Sequence, residues 1–167
     1  MSDIHAAADL QVRRAEWAAG QAPDSYMQHL VFIHARTVLY ALDGISKALG
    51  VLADTSGVPL GVKTAKNAYD AALPDLVGVR DSSHHVEDRA RSLSGQGKKK
   101  KPVPPLPGNN RLIITNGLRG NQFGHTLADG RYGEVDISAT SVETAQTAIQ
   151  SAFDALAWHG PSRTVPF

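Results

Sequence analysis

The chain has 167 residues, a formal net charge of +1, 42% hydrophobic residues and 20% charged residues. This size and balance are typical of one soluble globular domain, and they argue against a disordered chain or one whose total charge drives nucleic-acid binding. The absence of cysteine excludes disulfide bonds and thiolate chemistry. The polar start Met1-Ser2-Asp3 and the lack of any run of roughly 18 apolar residues predict a cytoplasmic protein with no membrane partner.

Hydrophobic residues recur at spacings of three and four along most of the first 93 residues, which predicts four helices. We expect these helices over residues 3–19, 24–49, 60–73 and 74–93. The second has the strongest pattern, and at 1.5 Å per residue it would be roughly 37 Å long. The core face of the fourth should carry Leu76, Val79, Ser83, Val86, Ala90 and Leu93.

Residues 94–110 differ in composition from the helices before them. Four consecutive lysines (Lys98, Lys99, Lys100 and Lys101) precede a proline-rich stretch, which predicts an exposed, extended loop. Clustered lysines bind nucleic-acid phosphates by releasing counterions, without sequence preference. These lysines are therefore candidate RNA-binding residues, with a solubilising loop as the alternative interpretation.

Residues 111–138 have a pattern typical of β structure. Strands are predicted over residues 111–115, 122–128 and 132–138. Asn116-Gly117 and Gly120-Asn121 mark the first turn between them, and Asp129-Gly130 marks the second. We expect the three strands to form a small antiparallel meander that rests on a helix.

Thr140 and Glu143 have the spacing of a capping box, which predicts the start of a last helix that runs to about residue 159. Its apolar side should carry Val142, Ala145, Ile149, Phe153 and Leu156. The whole pattern predicts a mainly α single domain over residues 1–167. We expect a helical bundle of four to five helices, with a small three-stranded antiparallel β-meander before the last helix.

The segment from Arg80 to His85 holds a cation, a carboxylate, two hydroxyls and two imidazoles within six residues. In a regular helix Asp81 and His85 share a face, whereas Arg80 and His85 lie roughly 140° apart around the axis. The segment flanks the apolar stripe, where a titrating side chain is partly buried and still reachable. Arg80 and His85 can act on one substrate if the helix is locally broken or if a second copy completes the site.

The pattern Arg80-Asp81-x-x-x-His85 resembles the Arg-polar-x-x-x-His motif of HEPN domains, and the resemblance covers residues 24 to 95. HEPN domains are bundles of four or more helices, common among prokaryotic toxins, defence nucleases and CRISPR effectors; the β-meander is not part of their pattern. Active members are metal-independent endoribonucleases in which two motifs usually meet across a dimer. The resemblance thus implies a metal-independent endoribonuclease or an RNA-binding relative, with RNA as its partner, a homodimer, no cofactor and no metal. For a toxin or defence component it also implies an antitoxin or other protein partner.

The three candidate catalytic residues are Arg80, Asp81 and His85. Cleavage of RNA through its own 2′-hydroxyl needs a proton acceptor near neutral pH and a cation that holds the phosphate as charge develops. His85 is suited to the first role as general acid or base. Arg80, planar and permanently charged, is suited to the second. Asp81 could orient an imidazole or the guanidinium of Arg80.

The non-catalytic alternative is that the segment is a solvated flank of a helix. In that case its charged residues exchange salt bridges with one another: Arg80, Glu87, Asp88 and Arg91. The corresponding alternative for function is a non-catalytic helical protein-interaction module, or a subunit of a larger complex.

A metal site is the third interpretation of this segment. His84 with Glu87 and His85 with Asp88 are pairs at a spacing of three, which can chelate an ion from one helix face. A closed site would need ligands from another helix, for which the sequence offers His29 and His34.

Overall fold

The computed structural model describes residues 19–20, 24–94, 101–102 and 113–156. In this part of the chain it has five helices: α1 (Asp24–Ala53), α2 (Leu60–Ala72), α3 (Leu76–His84), α4 (Val86–Ala90) and α5 (Ala139–Ala155). Its five strands are β1 (Leu93–Ser94), β2 (Lys101–Pro102), β3 (Gly117–Arg119), β4 (Gln122–Thr126) and β5 (Tyr132–Asp136). Residues 3–18 of the first predicted helix lie outside the described residues.

The chain divides into two compact units, residues 1–35 and residues 36–167. In the first unit the described residues are 19–20 and the beginning of α1. The second unit contains the rest of α1 and all the other described elements. Arg80, Asp81 and His85 belong to this second unit.

The described residues confirm the predicted fold class, which is mainly α with a three-stranded antiparallel sheet before the last helix. The sheet has the order β3-β4-β5, and Phe123 on its central strand pairs with Leu118 on one side and Val135 on the other. Helix α3 packs on β4 and β5, and its Val79 is fully buried, as is Phe123. In the ranges that the structure describes, none of the helices combines the length and apolar character required to cross a bilayer.

The helix predicted over residues 74–93 is in fact two helices, because the backbone leaves the helical conformation at His85. That residue has φ −111° and ψ 41°, and its carbonyl accepts from the backbone N–H groups of Asp88 and Arg89, both at 3.1 Å. The break turns Asp88 and Arg89 inward, where both are buried, whereas Ala90 is exposed. Hydrophobic periodicity predicted the reverse because it assigns charged residues to the surface.

The first predicted strand is displaced along the chain. Residues 113–115, the described part of that prediction, form no strand, and β3 begins at Gly117 instead. Ile114 nevertheless lies beside β4, because its carbonyl accepts from Thr126 N–H at 2.8 Å. Asn116, with a positive φ of 55°, then reverses the chain into β3; asparagine tolerates this left-handed conformation better than most residues.

Helix α5 buries a different face from the predicted one. Its buried residues are Ser141, Ala145, Ala148 and Ala152, whereas Val142 and Phe153 are 45% and 40% exposed. The reason is that α5 packs closely on α2: a Cβ added at Gly61 would lie 2.6 Å from the Cβ of Ala155. Small side chains permit this approach. The predicted stripe, chosen by its large apolar side chains, shares only Ala145 with the buried residues.

The cap of α5 also differs from the prediction. The N-cap is Ser138, whose Oγ accepts from the N–H of Thr140 at 3.2 Å. The same hydroxyl donates to Asp136 Oδ2 at 2.6 Å. The capping box predicted at Thr140 is therefore wrong, and the helix begins at Ala139 with a serine cap, which satisfies one of the free N–H groups of its first turn.

Two glycine-to-alanine substitutions should have opposite effects on stability. Gly61→Ala is expected to lower the free energy of unfolding by about 1–2 kcal/mol, because its methyl group overpacks the contact with α5. Gly44→Ala, within α1, meets no atom within 4 Å and should raise it by up to ~1 kcal/mol through helix propensity. Urea unfolding of both variants checks the pair. A stabilising Gly61→Ala would contradict the close packing of α2 and α5.

Candidate functional site

Arg80 is held by two carboxylates. Its Nε lies 3.1 Å from Oδ2 of Asp43 on α1, and its Nη1 lies 2.6 Å from Oδ1 of Asp81. The Asp43 side chain is only 5% exposed, and Lys47 Nζ lies 2.7 Å from the same Oδ2. A buried carboxylate is costly without a compensating cation. Arg80 therefore supplies the positive charge that Asp43 needs, and it has one fixed position.

Asp81 contacts Arg80, which is one of the two roles considered for it. Its side chain is 48% exposed, and its backbone carbonyl accepts from His85 N–H at 3.0 Å. In the described part of the chain no contact joins the Asp81 carboxylate to the His85 ring. The arrangement suits a carboxylate that orients the guanidinium rather than the imidazole.

His85 lies at the break between α3 and α4, with its side chain half-buried. Its ring meets that of His84 nearly edge to face, with the centroids 5.0 Å apart. Among the described residues, neither nitrogen of the His85 ring has a hydrogen-bond partner. The imidazole is thus free of the described hydrogen-bond partners, whereas the guanidinium of Arg80 is held by Asp43 and Asp81.

Within the described ranges, His85, Glu87 and Asp88 form the one group of three side chains close enough together to hold a metal ion. One ligand atom of each lies within 4.8 Å of the other two. Asp88 is also bound by Arg91, whose Nη2 lies 3.0 Å from Asp88 Oδ1, and this contact already offsets its charge. The other proposed ligands, His29, His34 and His84, are all exposed.

Of the four candidate RNA-binding lysines, the structure describes Lys101. It is exposed on β2, opposite Ser94 of β1 in a two-stranded antiparallel ribbon. Lys98, Lys99 and Lys100 lie outside the described residues. Because β1 follows α4 after two residues, the ribbon brings the end of the lysine block back to the segment that begins at His85.

Sequence reasoning missed a basic cluster formed by half-buried Arg36 with buried Arg89 and His125. Arg36 Nη2 donates to Asn116 Oδ1 at 2.7 Å, and Asn116 N–H donates to His125 Nδ1 at 3.4 Å. Arg89 Nε donates to Ser82 Oγ at 3.2 Å. Arg36 and Asn116 are 80 residues apart, so no local pattern could have joined them.

Burial sets the charge of this cluster. His125 is fully buried, and desolvation, with the charges of Arg36 and Arg89, lowers its pKa from 6.5 to about 4. Its ring is therefore neutral at neutral pH. Two guanidinium groups then supply the net charge of the cluster.

Comparison with known proteins returned no relative. No family model matches the chain, no curated protein matches it, and no solved structure matches its fold. Its function therefore has to be argued from the side chains described above.

Proposed function

We propose that the protein is a HEPN-like, metal-independent endoribonuclease that acts as a homodimer, with Arg80 and His85 of each copy forming half of the active site. RNA is the substrate, and the basic stretch that ends at Lys101 contacts its phosphates. As a toxin or defence component, such an enzyme would need an antitoxin or another protein partner to restrain it.

The half-buried ring of His85, at the end of α3, is the observation that carries this proposal. In a continuous helix Arg80 and His85 would lie roughly 140° apart, too far around the axis to meet one phosphate. His85 still donates its N–H to the Asp81 carbonyl at 3.0 Å and so keeps its place relative to Arg80 of its own copy; in the homodimer it meets the Arg80 of the second copy. Its half-buried ring has no hydrogen bond to another described residue, which leaves a nitrogen available for proton transfer.

Each side chain has one role in the proposed reaction. His85 takes the proton from the 2′-hydroxyl in one copy or delivers a proton to the leaving 5′-oxygen in the other. Arg80 stabilises the charge that develops on the phosphate, and Asp81, 2.6 Å away, fixes the guanidinium. Two copies supply the two imidazoles that an acid and a base require.

The test is cleavage of labelled single-stranded RNA by the full chain in the presence of a chelator. His85→Ala should lower the rate by at least about 100-fold, the usual contribution of a general acid or base. His84→Ala is the matched control, because that ring is adjacent and exposed; its rate should equal that of the wild type. Arg80→Lys keeps the charge that Asp43 needs and should still slow cleavage, because lysine lacks the planar guanidinium.

Equal rates in the wild type and His85→Ala would contradict the proposal. Cleavage that appears only when a divalent metal replaces the chelator would also contradict it, and would point to His85, Glu87 and Asp88 as metal ligands. An inactive wild type would leave the non-catalytic interaction module as the function to pursue.

A further inference from the structure

Arg36, Arg89 and His125 form a basic cluster, defined above, that the proposed ribonuclease chemistry does not use. Arg36 comes from α1, Arg89 from α4 and His125 from β4. Arg89 is 4% exposed and His125 is fully buried. Arginine is almost never buried in this way without a partner that accepts its charge.

Neither arginine has such a partner in the described part of the chain. Arg36 binds the amide oxygen of Asn116, and Arg89 binds the hydroxyl of Ser82 and the backbone carbonyl of Leu93. All three acceptors are neutral. The described residues place no carboxylate within 4.0 Å of either guanidinium, so buried Arg89 and half-buried Arg36 both lack a counterion among them.

The unpartnered polar atoms of the cluster are hydrogen-bond donors. His125 Nδ1 accepts from Asn116 N–H, which assigns the ring proton to Nε2. His125 Nε2 and Arg36 Nε are both buried and have no hydrogen-bond partner. A buried donor left without an acceptor is a net cost to the fold. The cluster therefore lacks a hydrogen-bond acceptor. Because its arginines carry uncompensated positive charge, that acceptor should be negatively charged.

We propose that Arg36, Arg89 and His125 form a binding site for a phosphate dianion, either inorganic phosphate or the terminal phosphate of a mononucleotide. Two guanidinium groups balance its two charges, and its oxygens accept from Arg36 Nε and His125 Nε2. Arginine matches the geometry of phosphate oxygens. The complete burial of His125 favours a small group over a phosphodiester within an RNA chain. This site is independent of the ribonuclease proposal.

The position of the site indicates what the ligand would do. Arg89 is on α4, directly after the break at His85, and it binds Ser82 on α3. An anion held by Arg89 and Arg36 would link α3 and α4 to α1 within the second unit. Phosphate should therefore stabilise the folded chain as well as bind to it.

The experiment is calorimetric titration of the full chain at pH 7 and constant ionic strength with inorganic phosphate, with adenosine monophosphate in a second arm and chloride as the blank. Arg36→Gln should weaken phosphate binding at least about tenfold, since it removes a charge-assisted hydrogen bond. Arg91→Gln is the matched control, because Arg91 is exposed and binds Asp88, and its affinity should equal that of the wild type. Binding in the mononucleotide arm alone would assign the ligand to a nucleotide's terminal phosphate.

A measurement on the wild type removes any dependence on the stability of the variants. The nitrogen resonance of His125 Nε2 should shift when phosphate is added and stay unchanged in chloride. The proposal is overturned if the wild type binds neither inorganic phosphate nor the mononucleotide. Buried water would then be the acceptor for Arg36 Nε and His125 Nε2. It is also overturned if Arg36→Gln binds as tightly as the wild type, or if the His125 resonance does not move.

Discussion

Arg80→Met is expected to lower the free energy of unfolding by about 3 kcal/mol, the cost of leaving a buried charge without its partner. Asp43 is the reason: its side chain is 5% exposed, and Arg80 Nε lies 3.1 Å from its Oδ2. Without the guanidinium, the Asp43 carboxylate still contacts Lys47. Because Lys47 is largely exposed, water screens its charge and it compensates the carboxylate poorly. Urea unfolding measures the loss as a lower midpoint at an unchanged slope.

Two further variants separate this effect from simple loss of packing. Asp43→Leu combined with Arg80→Met replaces both charges and should recover most of the lost stability, because an apolar pair needs no counterion. Asp81→Asn removes the other carboxylate that binds Arg80. Since Asp81 is half exposed, this change should cost at most about 1 kcal/mol. A loss in Asp81→Asn as large as that in Arg80→Met would contradict the assignment of Asp43 as the structural partner.

Acid is expected to destabilise the fold through His125. Its pKa is about 4 in the folded protein and about 6.5 in an unfolded chain. Between these two values the unfolded chain binds a proton that the folded protein does not, so stability falls as the pH falls from 6.5 to 4 and is fully present above 6.5. The loss attributable to this residue approaches about 3 kcal/mol at pH 4.

The measurement compares the unfolding free energy of the wild type and His125→Asn between pH 4 and pH 7. Asparagine can accept from Asn116 N–H in the place of Nδ1 and does not titrate in this range. The buried carboxylates Asp43 and Asp88 are present in both proteins, so their contribution cancels in the difference. The difference in unfolding free energy between the wild type and His125→Asn should narrow as the pH falls. A difference in unfolding free energy that does not change with pH would show that His125 is not held neutral by its surroundings.

The sequence predicted the elements whose signal is local. The predicted starts of α1 and α2 are correct, and the predicted end of α2 is within one residue of the observed end. Asp129-Gly130 correctly marked the turn between β4 and β5. The end of α1 was placed too early, at residue 49, whereas the helix continues through Gly50 to Ala53. A glycine within a helix carries only a modest cost.

The contacts that define the candidate sites could not be predicted in the same way. The break at His85 turns Asp88 and Arg89 inward, where both are buried, and a periodicity search assigns such residues to solvent. The pairing of Arg80 with Asp43 joins residues on two helices. A single sequence carries the spacing of residues along each helix, but not which faces of two helices meet.

The most direct test of the account is cleavage by the wild-type chain, in a chelator, of two strands of the same sequence, one of RNA and one with 2′-deoxyribose throughout. If His85 acts on the 2′-hydroxyl, the RNA should be cut, leaving a 2′,3′-cyclic phosphate, and the deoxy strand should remain intact. Cleavage of both strands, or an intact RNA strand, would contradict the proposed ribonuclease site.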